Sequence, residues 1–285
     1  MSSPKPFKRA LRYLPALPLL LLCVLFLLIP LGSMAARSFF TPGGGLTGRN
    51  YLDIFTKAIY HAAIRNSLYL SFASAAIGLA LSFFITLTLT RSPPGKRNRF
   101  MALLNMVSNF TGLPLGVAFM IVLGTTGVFM QVSRRLGLGL EELYNLYSGN
   151  GLLLLYIYFQ IPLGTLLLYP AFQGIREEWK ESAALMRAYE LQFWIRVGIP
   201  VLLPSLTDTF AMLFANALTA YATPFVIMMT NYPLLPIKIT SMYTGEAVQQ
   251  QELGAALSIV MIAIMLALTA LCNLVKVLFY KGGRE

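Results

Sequence analysis

Long apolar runs alternate with short polar segments along the chain. A membrane-spanning helix needs about 20 mostly apolar residues, and six nearly uncharged runs of about this length can be drawn. The pattern therefore predicts an all-α polytopic membrane protein with six transmembrane helices. Their approximate bounds are 14–31, 67–90, 101–123, 151–172, 199–229 and 253–279.

Two of these runs carry signs of an interruption. The third contains Gly112–Pro114, and the fifth is longer than a bilayer of roughly 30 Å requires. Pro200, Pro204 and Pro224 are candidate breaks in the fifth run, because proline removes a backbone donor. We also expect Pro200 to begin the fifth span, since proline suits the first turn of a helix.

Composition agrees with a membrane protein. Hydrophobic residues make up 57% of the 285 residues and charged residues only 12%, against about 25% charged in a typical soluble domain. The net charge of +11 comes from basic residues between the apolar runs, so we expect no nucleic-acid partner. Cys23 and Cys272 lie inside apolar runs and His61 in a predicted loop, without the spacing of a metal site.

The distribution of basic residues predicts the orientation of the chain. With the N-terminus in the cytoplasm, fifteen Lys and Arg residues fall on the inner side and seven on the outer side. This excess predicts that both termini are cytoplasmic. The "SMAA" stretch at Ser33 resembles a signal-peptide cleavage site, but an uncleaved first span is favoured because cleavage would leave an odd number of spans.

A polar segment, 176–198, separates the fourth and fifth runs on the predicted cytoplasmic side. From Arg176 to Ala188 the pattern favours an amphipathic helix, with Trp179, Ala183 and Met186 on one apolar stripe. Glu177 and Lys180 are spaced to form an ion pair. The residues alone leave two interpretations open, a helix lying on lipid headgroups or a docking element for a soluble partner.

The same segment carries a resemblance to a known family. Glu181–Ala184, with Pro200 nineteen residues after the glutamate, resembles the "EAA" loop of ABC-importer permeases, and Val197 and Ile199 match the apolar positions before that proline. Arg187 stands where the family pattern has glycine, a residue that permits a left-handed turn. We therefore expect a turn of another shape, or one shifted to Tyr189.

Other stretches extend the resemblance over about residues 47–280. Asn50–Tyr51 and Asn66–Leu68 resemble the start of the permease core, and 235–262 resembles the last outside loop and span of the spermidine/putrescine, iron(III) and sulfate permeases. The implied division is 1–46 for the N-terminal tail, first span and outside loop, 47–280 for the permease core, and 281–285 for a cytoplasmic tail.

The resemblance implies a transport subunit of a bacterial inner-membrane importer, and not an enzyme. Its implied partners are a cytoplasmic ABC ATPase dimer, a second identical or homologous permease chain and an extracytoplasmic binding protein, all working in a lipid bilayer. ATP and Mg would bind the ATPase, since this chain lacks a phosphate-loop motif. The implied coupling residues are Trp179, Glu181, Ser182, Ala183, Ala184, Met186, Arg187, Ala188 and Pro200. Glu181 would meet a basic group, the alanines would allow close approach, and Trp179 and Met186 would add apolar contact.

Polar residues inside spans mark a candidate substrate pathway, because they are costly in lipid. They are Asn109, Gln160, Asp208, Asn216, Thr219 and Tyr221. Asp208 lies about 12 Å along the helix from Pro200. It would either bond a neighbouring span or face substrate, in which case it would favour a cation such as a polyamine.

Several alternatives to polyamine import remain open. An iron(III), sulfate or phosphonate-type anion importer fits the same resemblance. An ion-coupled secondary transporter would want paired charges inside the spans. A membrane scaffold would explain the two tryptophans of the polar segment but not the spacing from Glu181 to Pro200.

Overall fold

The computed structural model describes residues 17–41, 43–137, 139, 144–244 and 250–282. Helices dominate this part of the chain, and an isolated bridge joins Phe40 to Leu46. In chain order the helices are α1 (Leu17–Cys23), α2 (Ile29–Arg37), α3 (Arg49–Thr56), α4 (Ala58–Thr90), α5 (Pro94–Asn109), α6 (Leu113–Leu123), α7 (Val128–Leu136), α8 (Gly149–Gln173), α9 (Glu177–Leu185), α10 (Glu190–Phe193), α11 (Ile199–Thr219), α12 (Ala222–Met228), α13 (Leu235–Thr244) and α14 (Gln251–Gly282).

Six stretches of the described residues are long and apolar enough to cross a membrane. They are Pro18–Arg37, Ala58–Thr90, Leu113–Leu136, Gly149–Gln173, Glu190–Thr219 and Gln251–Phe279. The predicted all-α class with six membrane helices is confirmed, and the chain is a multi-pass membrane protein. The cytoplasmic location of both termini stays a prediction.

Several predicted boundaries are wrong. The second span begins at Ala58, so His61 lies within α4 and not in a loop. The predicted third span crosses a break, because α5 ends at Asn109 and α6 begins only at Leu113. The first predicted span starts at Leu14, outside the described residues, and its helix continues to Arg37.

Pro200 does not begin the fifth span. The long helix starts with α10 and passes through a π turn, Trp194–Gly198, in which Ile199 N–H donates to the Trp194 carbonyl five residues back. Proline lacks an N–H, and its ring crowds the carbonyl four residues earlier, so a widened turn accommodates it inside a continuous helix. The first span repeats the arrangement, with Pro30 following the π turn Val24–Leu28.

The chain contains two compact units. One holds the residues up to Lys57 together with Ile239–Ile262, and the other holds Ala58–Lys238 and the residues from Ala263 onward. In the first unit the Asn50 Nδ2 group donates to the carbonyls of Ser38 and Phe40, each at 2.9 Å, and the Tyr51 hydroxyl lies 2.8 Å from the Ser38 Oγ. The predicted division at residues 46 and 280 stays a prediction.

Small side chains allow close packing in the core of the larger unit. There α4 packs along α8 and α11, and a row of small buried residues runs along α4: Ser67, Ser71, Ser74, Ala75, Gly78, Ser82 and Thr86. A Cβ placed on Gly78 would lie 2.7 Å from the Gln160 Cβ, and one on Gly164 would lie 2.5 Å from the Ser82 Oγ. Small residues at such contacts bring helix backbones together, as membrane helices require.

Buried polar groups join these helices across their contacts. The Ser82 hydroxyl donates to the Ile161 carbonyl at 2.9 Å, linking α4 to α8. The Gln160 side chain is fully buried and donates through Nε2 to the Leu213 carbonyl at 2.6 Å, linking α8 to α11. Because an unpaired polar group is costly in an apolar interior, these bonds also define which helix faces can meet.

We predict that Gly78→Ala destabilises the protein by about 1–3 kcal/mol, because the added methyl group overpacks the contact with Gln160. The apparent melting temperature in detergent measures the effect. Gly32→Ala is the matched control, since Gly32 is also helical and has no atom within 4 Å of its added Cβ. Equal melting temperatures for the two variants would contradict the proposed tight contact.

Candidate functional site

Two broken helices meet within the larger unit. The first break separates α5 from α6 at Phe110–Gly112, where Gly112 has a φ of 74°. The second separates α11 from α12 at Ala220–Tyr221. The Thr223 hydroxyl donates to the Gly112 carbonyl at 3.0 Å and so bonds one break to the other.

A cavity of about 220 Å³ lies between the two breaks. Three predicted pathway residues, Asn216, Thr219 and Tyr221, line it. Phe159 and Thr223 line it as well, and the sequence pattern did not single them out. Irregular backbone inside a membrane protein is tolerated where it is buried in protein or lines a cavity, and both breaks satisfy this condition.

The other predicted pathway residues lie elsewhere. Gln160 sits behind the cavity, where its Oε1 accepts from the Asn216 Nδ2 at 3.4 Å. Asn109 is exposed at the end of α5 and donates to the Asn105 carbonyl at 2.7 Å. Gln160 thus orients a lining residue, whereas Asn109 helps to terminate a helix.

Asp208 forms an ion pair with another span. Its Oδ1 lies 2.5 Å from the Lys276 Nζ, which joins α11 to α14. The Asp208 side chain is 64% exposed and the Lys276 side chain 21% exposed. Of the two roles considered for Asp208, the bond to a neighbouring span is therefore the one observed.

The segment between the fourth and fifth spans is helical, as predicted, over Glu177–Leu185. The Lys180 Nζ lies 2.7 Å from the Glu177 Oε2, which confirms that predicted pair. The predicted apolar stripe is wrong, because Ala183 is 7% exposed and faces the protein while Met186 is 77% exposed. Glu181, Ser182 and Ala184 are exposed on α9, and Ala188 is partly buried beneath it.

A further group of exposed apolar side chains extends from the end of α9. We name Leu185, Met186, Tyr189 and Leu191 the apolar patch, and their exposed fractions run from 70% to 86%. The sequence pattern singled out only Met186 among them. The available signal was four large apolar residues within the seven that follow Glu181–Ala184.

Arg187 occupies the left-handed turn in which the family pattern has glycine. Its φ is 57°, its N–H donates to the Ala184 carbonyl at 2.9 Å, and the Ala188 N–H donates to the Ala183 carbonyl at 3.0 Å. These two bonds form a Schellman motif. The expectation of a reshaped turn, or of one shifted to Tyr189, is wrong, since the hydrogen bonds hold the usual turn despite the arginine.

An aromatic cluster lies beneath α9 and receives Ala183. Trp194 is its centre, with ring centroids 5.8 Å from Phe83, Phe172 and Phe193. The helix is therefore in direct contact with the ends of α4, α8 and the long helix that continues into α11. Trp194 is 9% exposed and packs within this cluster.

Comparison with known proteins relates this geometry to a family of transporters. No protein-family model matches the chain. The crystal structure of a bacterial ABC transporter involved in alginate import matches with a TM-score of 0.80 at 18% identity, over 95% of this chain and 97% of that chain. The chain has the fold of an ABC-importer permease. The MetNI methionine ABC transporter matches with a TM-score of 0.59 at 14% identity, over 76% of this chain and 94% of that chain.

Sequence relatives of the chain are named as permease proteins of transport systems. The probable sulfate transport system permease protein cysT of Helicosporidium sp. subsp. Simulium jonesii is 24% identical over 77% of this chain and 77% of its own length. Its counterpart in Prototheca wickerhamii is 26% identical over 77% of this chain and 84% of its own length. The putative ferric transport system permease protein FbpB 1 of Haemophilus influenzae is 24% identical over 73% of this chain, but only 33% of its own length. The predicted resemblance to importer permeases is confirmed.

The described residues contain no group of three or more metal-ligating side chains that could hold a metal ion. The sequence relatives of the chain are permease components of transport systems. The coupling role of α9 and the pathway role of the cavity stay predictions.

We predict that Arg187→Gly stabilises the protein by about 1 kcal/mol, because only glycine adopts a left-handed conformation without steric cost. Ala184→Gly is the control, since Ala184 is exposed within α9 and the change should destabilise by about 1 kcal/mol. Melting temperatures should therefore shift in opposite directions. A decrease in both variants would contradict the assignment of the turn.

Proposed function

We propose that this chain is the transmembrane permease subunit of an ATP-driven importer in a bacterial inner membrane. It forms half of the pathway for a small solute that an extracytoplasmic binding protein delivers, and a second permease chain forms the other half. The observation that carries the proposal is α9, a short exposed helix that packs directly on the ends of three spans. The fold-level match over nearly the whole chain supports it.

In this proposal α9 and the apolar patch dock on a cytoplasmic ATPase. The exposed Glu181 meets a basic group, and the exposed Ala184 permits close approach of the partner. The apolar patch supplies burial, since exposed apolar groups of this kind commonly mark protein interfaces. Ala183 has a different role from the one first expected, because it packs on the spans and not on the partner.

Movement of α9 reaches the spans through rigid contacts. Ala183 packs into the aromatic cluster, and Trp194 of that cluster lies on the π turn that continues into α11. A Cβ on Gly198 would lie only 2.4 Å from the Trp194 ring, so the ring and the turn fit closely. When ATP-driven closure of the ATPase dimer shifts α9, α11 moves with it, and the break after Thr219 lies at the far end of that helix.

The cavity between the two breaks is the proposed solute pathway. Its polar lining is uncharged and consists of hydroxyl and amide groups, including Thr219 and Asn216. The N-termini of α6 and α12 also lie at the cavity, and helix N-termini carry partial positive charge. A small anion would be favoured at such a site.

The anion alternative is supported by the ion pair of Asp208. Polyamine transport was expected from a free aspartate facing the pathway, but Asp208 is neutralised by Lys276 and does not line the cavity. Two relatives are named as sulfate permeases. We therefore propose a small oxyanion as the substrate class, with a polyamine as the alternative.

We predict that Glu181→Lys abolishes co-purification with the cognate ATPase and reduces ATP-driven uptake, because it places like charges together at the interface. Glu252→Lys makes the same charge change on α14, in the other compact unit, and should leave co-purification intact. Normal ATPase association in Glu181→Lys would reject the docking role.

We predict that Thr219→Val lowers sulfate uptake in proteoliposomes about tenfold. In the proposal the Thr219 hydroxyl turns from the Ala215 carbonyl to donate to sulfate, and a lost hydrogen bond to a charged group costs about 1.5–3 kcal/mol. Thr88→Val is the matched control, because both hydroxyls donate to the carbonyl four residues earlier and Thr88 lies far from the cavity. Full sulfate uptake in Thr219→Val, with loss of putrescine uptake in Asp208→Asn, would instead support the polyamine alternative.

A further inference from the structure

A second and larger cavity lies beside α9, apart from the proposed pathway. Its volume is about 550 Å³, and its lining comes from the end of α4, the start of α5, the end of α8, α9 and the π turn at Trp194. Arg91, Arg97 and Lys180 contribute three basic side chains, and Glu177 contributes one carboxylate. The lining therefore carries a net positive charge.

Two of the basic side chains already have acidic partners. Lys180 pairs with Glu177 at 2.7 Å, and Arg91 pairs with Glu190. Arg97 differs, because its Nε is buried and finds no hydrogen-bond partner among the described residues. Among the described residues no acidic side chain forms an ion pair with Arg97.

Trp194 also has a buried N–H group that lacks a partner. The residue is 9% exposed, and its indole Nε1 is buried without a hydrogen-bond partner in the part of the chain that the structure describes. Burying an N–H group without an acceptor is unfavourable. Both donors belong to residues that line one cavity, so a small side-chain movement would turn them toward an acceptor placed there.

We propose that this cavity binds a phosphate group, with Arg97 as the principal ligand and Trp194 and Lys180 as further donors. A phosphate offers only acceptor oxygens and a negative charge, which complements a lining of cationic and N–H donors. Arginine is the side chain best suited to phosphate, because its planar fork donates two parallel hydrogen bonds. The source is either an anionic lipid headgroup or free phosphate.

The cavity lies where several helices meet, so a bound phosphate would affect how they are held together. A phosphate held there would contact α5 through Arg97, the long helix through Trp194 and α9 through Lys180. It would thereby tie α9 to α5 and to the fifth span. Occupancy of the site would therefore stabilise one placement of α9 and make coupling sensitive to lipid composition or to phosphate.

Fluorescence of Trp194 tests the proposal in the full-length chain. The chain has two tryptophans, so Trp179→Phe leaves Trp194 as the only reporter. One arm titrates inorganic phosphate into nanodiscs of phosphatidylcholine, and the other compares nanodiscs of increasing phosphatidylglycerol content without phosphate. We expect a saturable change in Trp194 emission in one arm, and that arm identifies the source.

Substitution of Arg97 decides whether the response comes from this cavity. Arg97→Gln should raise the half-saturating concentration by about tenfold or more, as expected for loss of a charge-assisted hydrogen bond. Arg99→Gln, an exposed arginine on the same helix, should leave it unchanged. If Arg97→Gln does not give a monodisperse protein, Arg97→Lys replaces it and should also weaken binding, since it removes the planar fork.

Two outcomes would overturn the proposal. One is the absence of a saturable response in both arms. The other is an equal response in the Arg97 and Arg99 variants, which would show a general charge effect. Neither outcome tests transport, so the proposed importer function depends on the separate co-purification and uptake experiments.

Discussion

Close backbone contact between α4 and α8 is the constraint on which the rest of the larger unit depends. Lipid offers no hydrophobic gain for bringing two apolar helices together, so tight packing and interhelical hydrogen bonds must hold them. Gly78 and Gly164 allow the backbones of α4 and α8 to approach closely, and the Ser82 hydroxyl donates to the Ile161 carbonyl. This contact places Gln160 where it reaches the Leu213 carbonyl, and so positions α11.

Positioning α11 in turn places the break that ends it. A chain inside a bilayer cannot leave backbone groups without partners, and the two breaks satisfy part of this need through the bond from Thr223 to the Gly112 carbonyl. The breaks thus come as a pair, and the cavity lies between them. Because the two breaks lie side by side, their hydroxyl and amide groups line the cavity, which is the proposed solute pathway.

The other end of α11 shows how a proline and the polar segment 176–198 are combined. A π turn admits Pro200 without ending the helix, and the same turn carries Trp194 into the aromatic cluster under α9. Because Ala183 is small, α9 lies directly on that cluster. The Schellman turn at Arg187 then reverses the chain, and leaves Leu185 and Met186 exposed.

Hydrophobic patterning alone determined the all-α class, the six spans and the position of the polar segment 176–198, since span length and lipid exposure are local properties of the sequence. Asn216 was found because polar residues are conspicuous in an apolar span, whereas Glu181 was found through its spacing from Pro200 in a motif that resembles a known family. The tertiary structure decided what local pattern cannot express. It paired Asp208 with Lys276, turned Ala183 inward and Leu185 outward, and kept a left-handed turn at an arginine. Each of these outcomes depends on which helix faces meet, and contacts between residues far apart in sequence determine that.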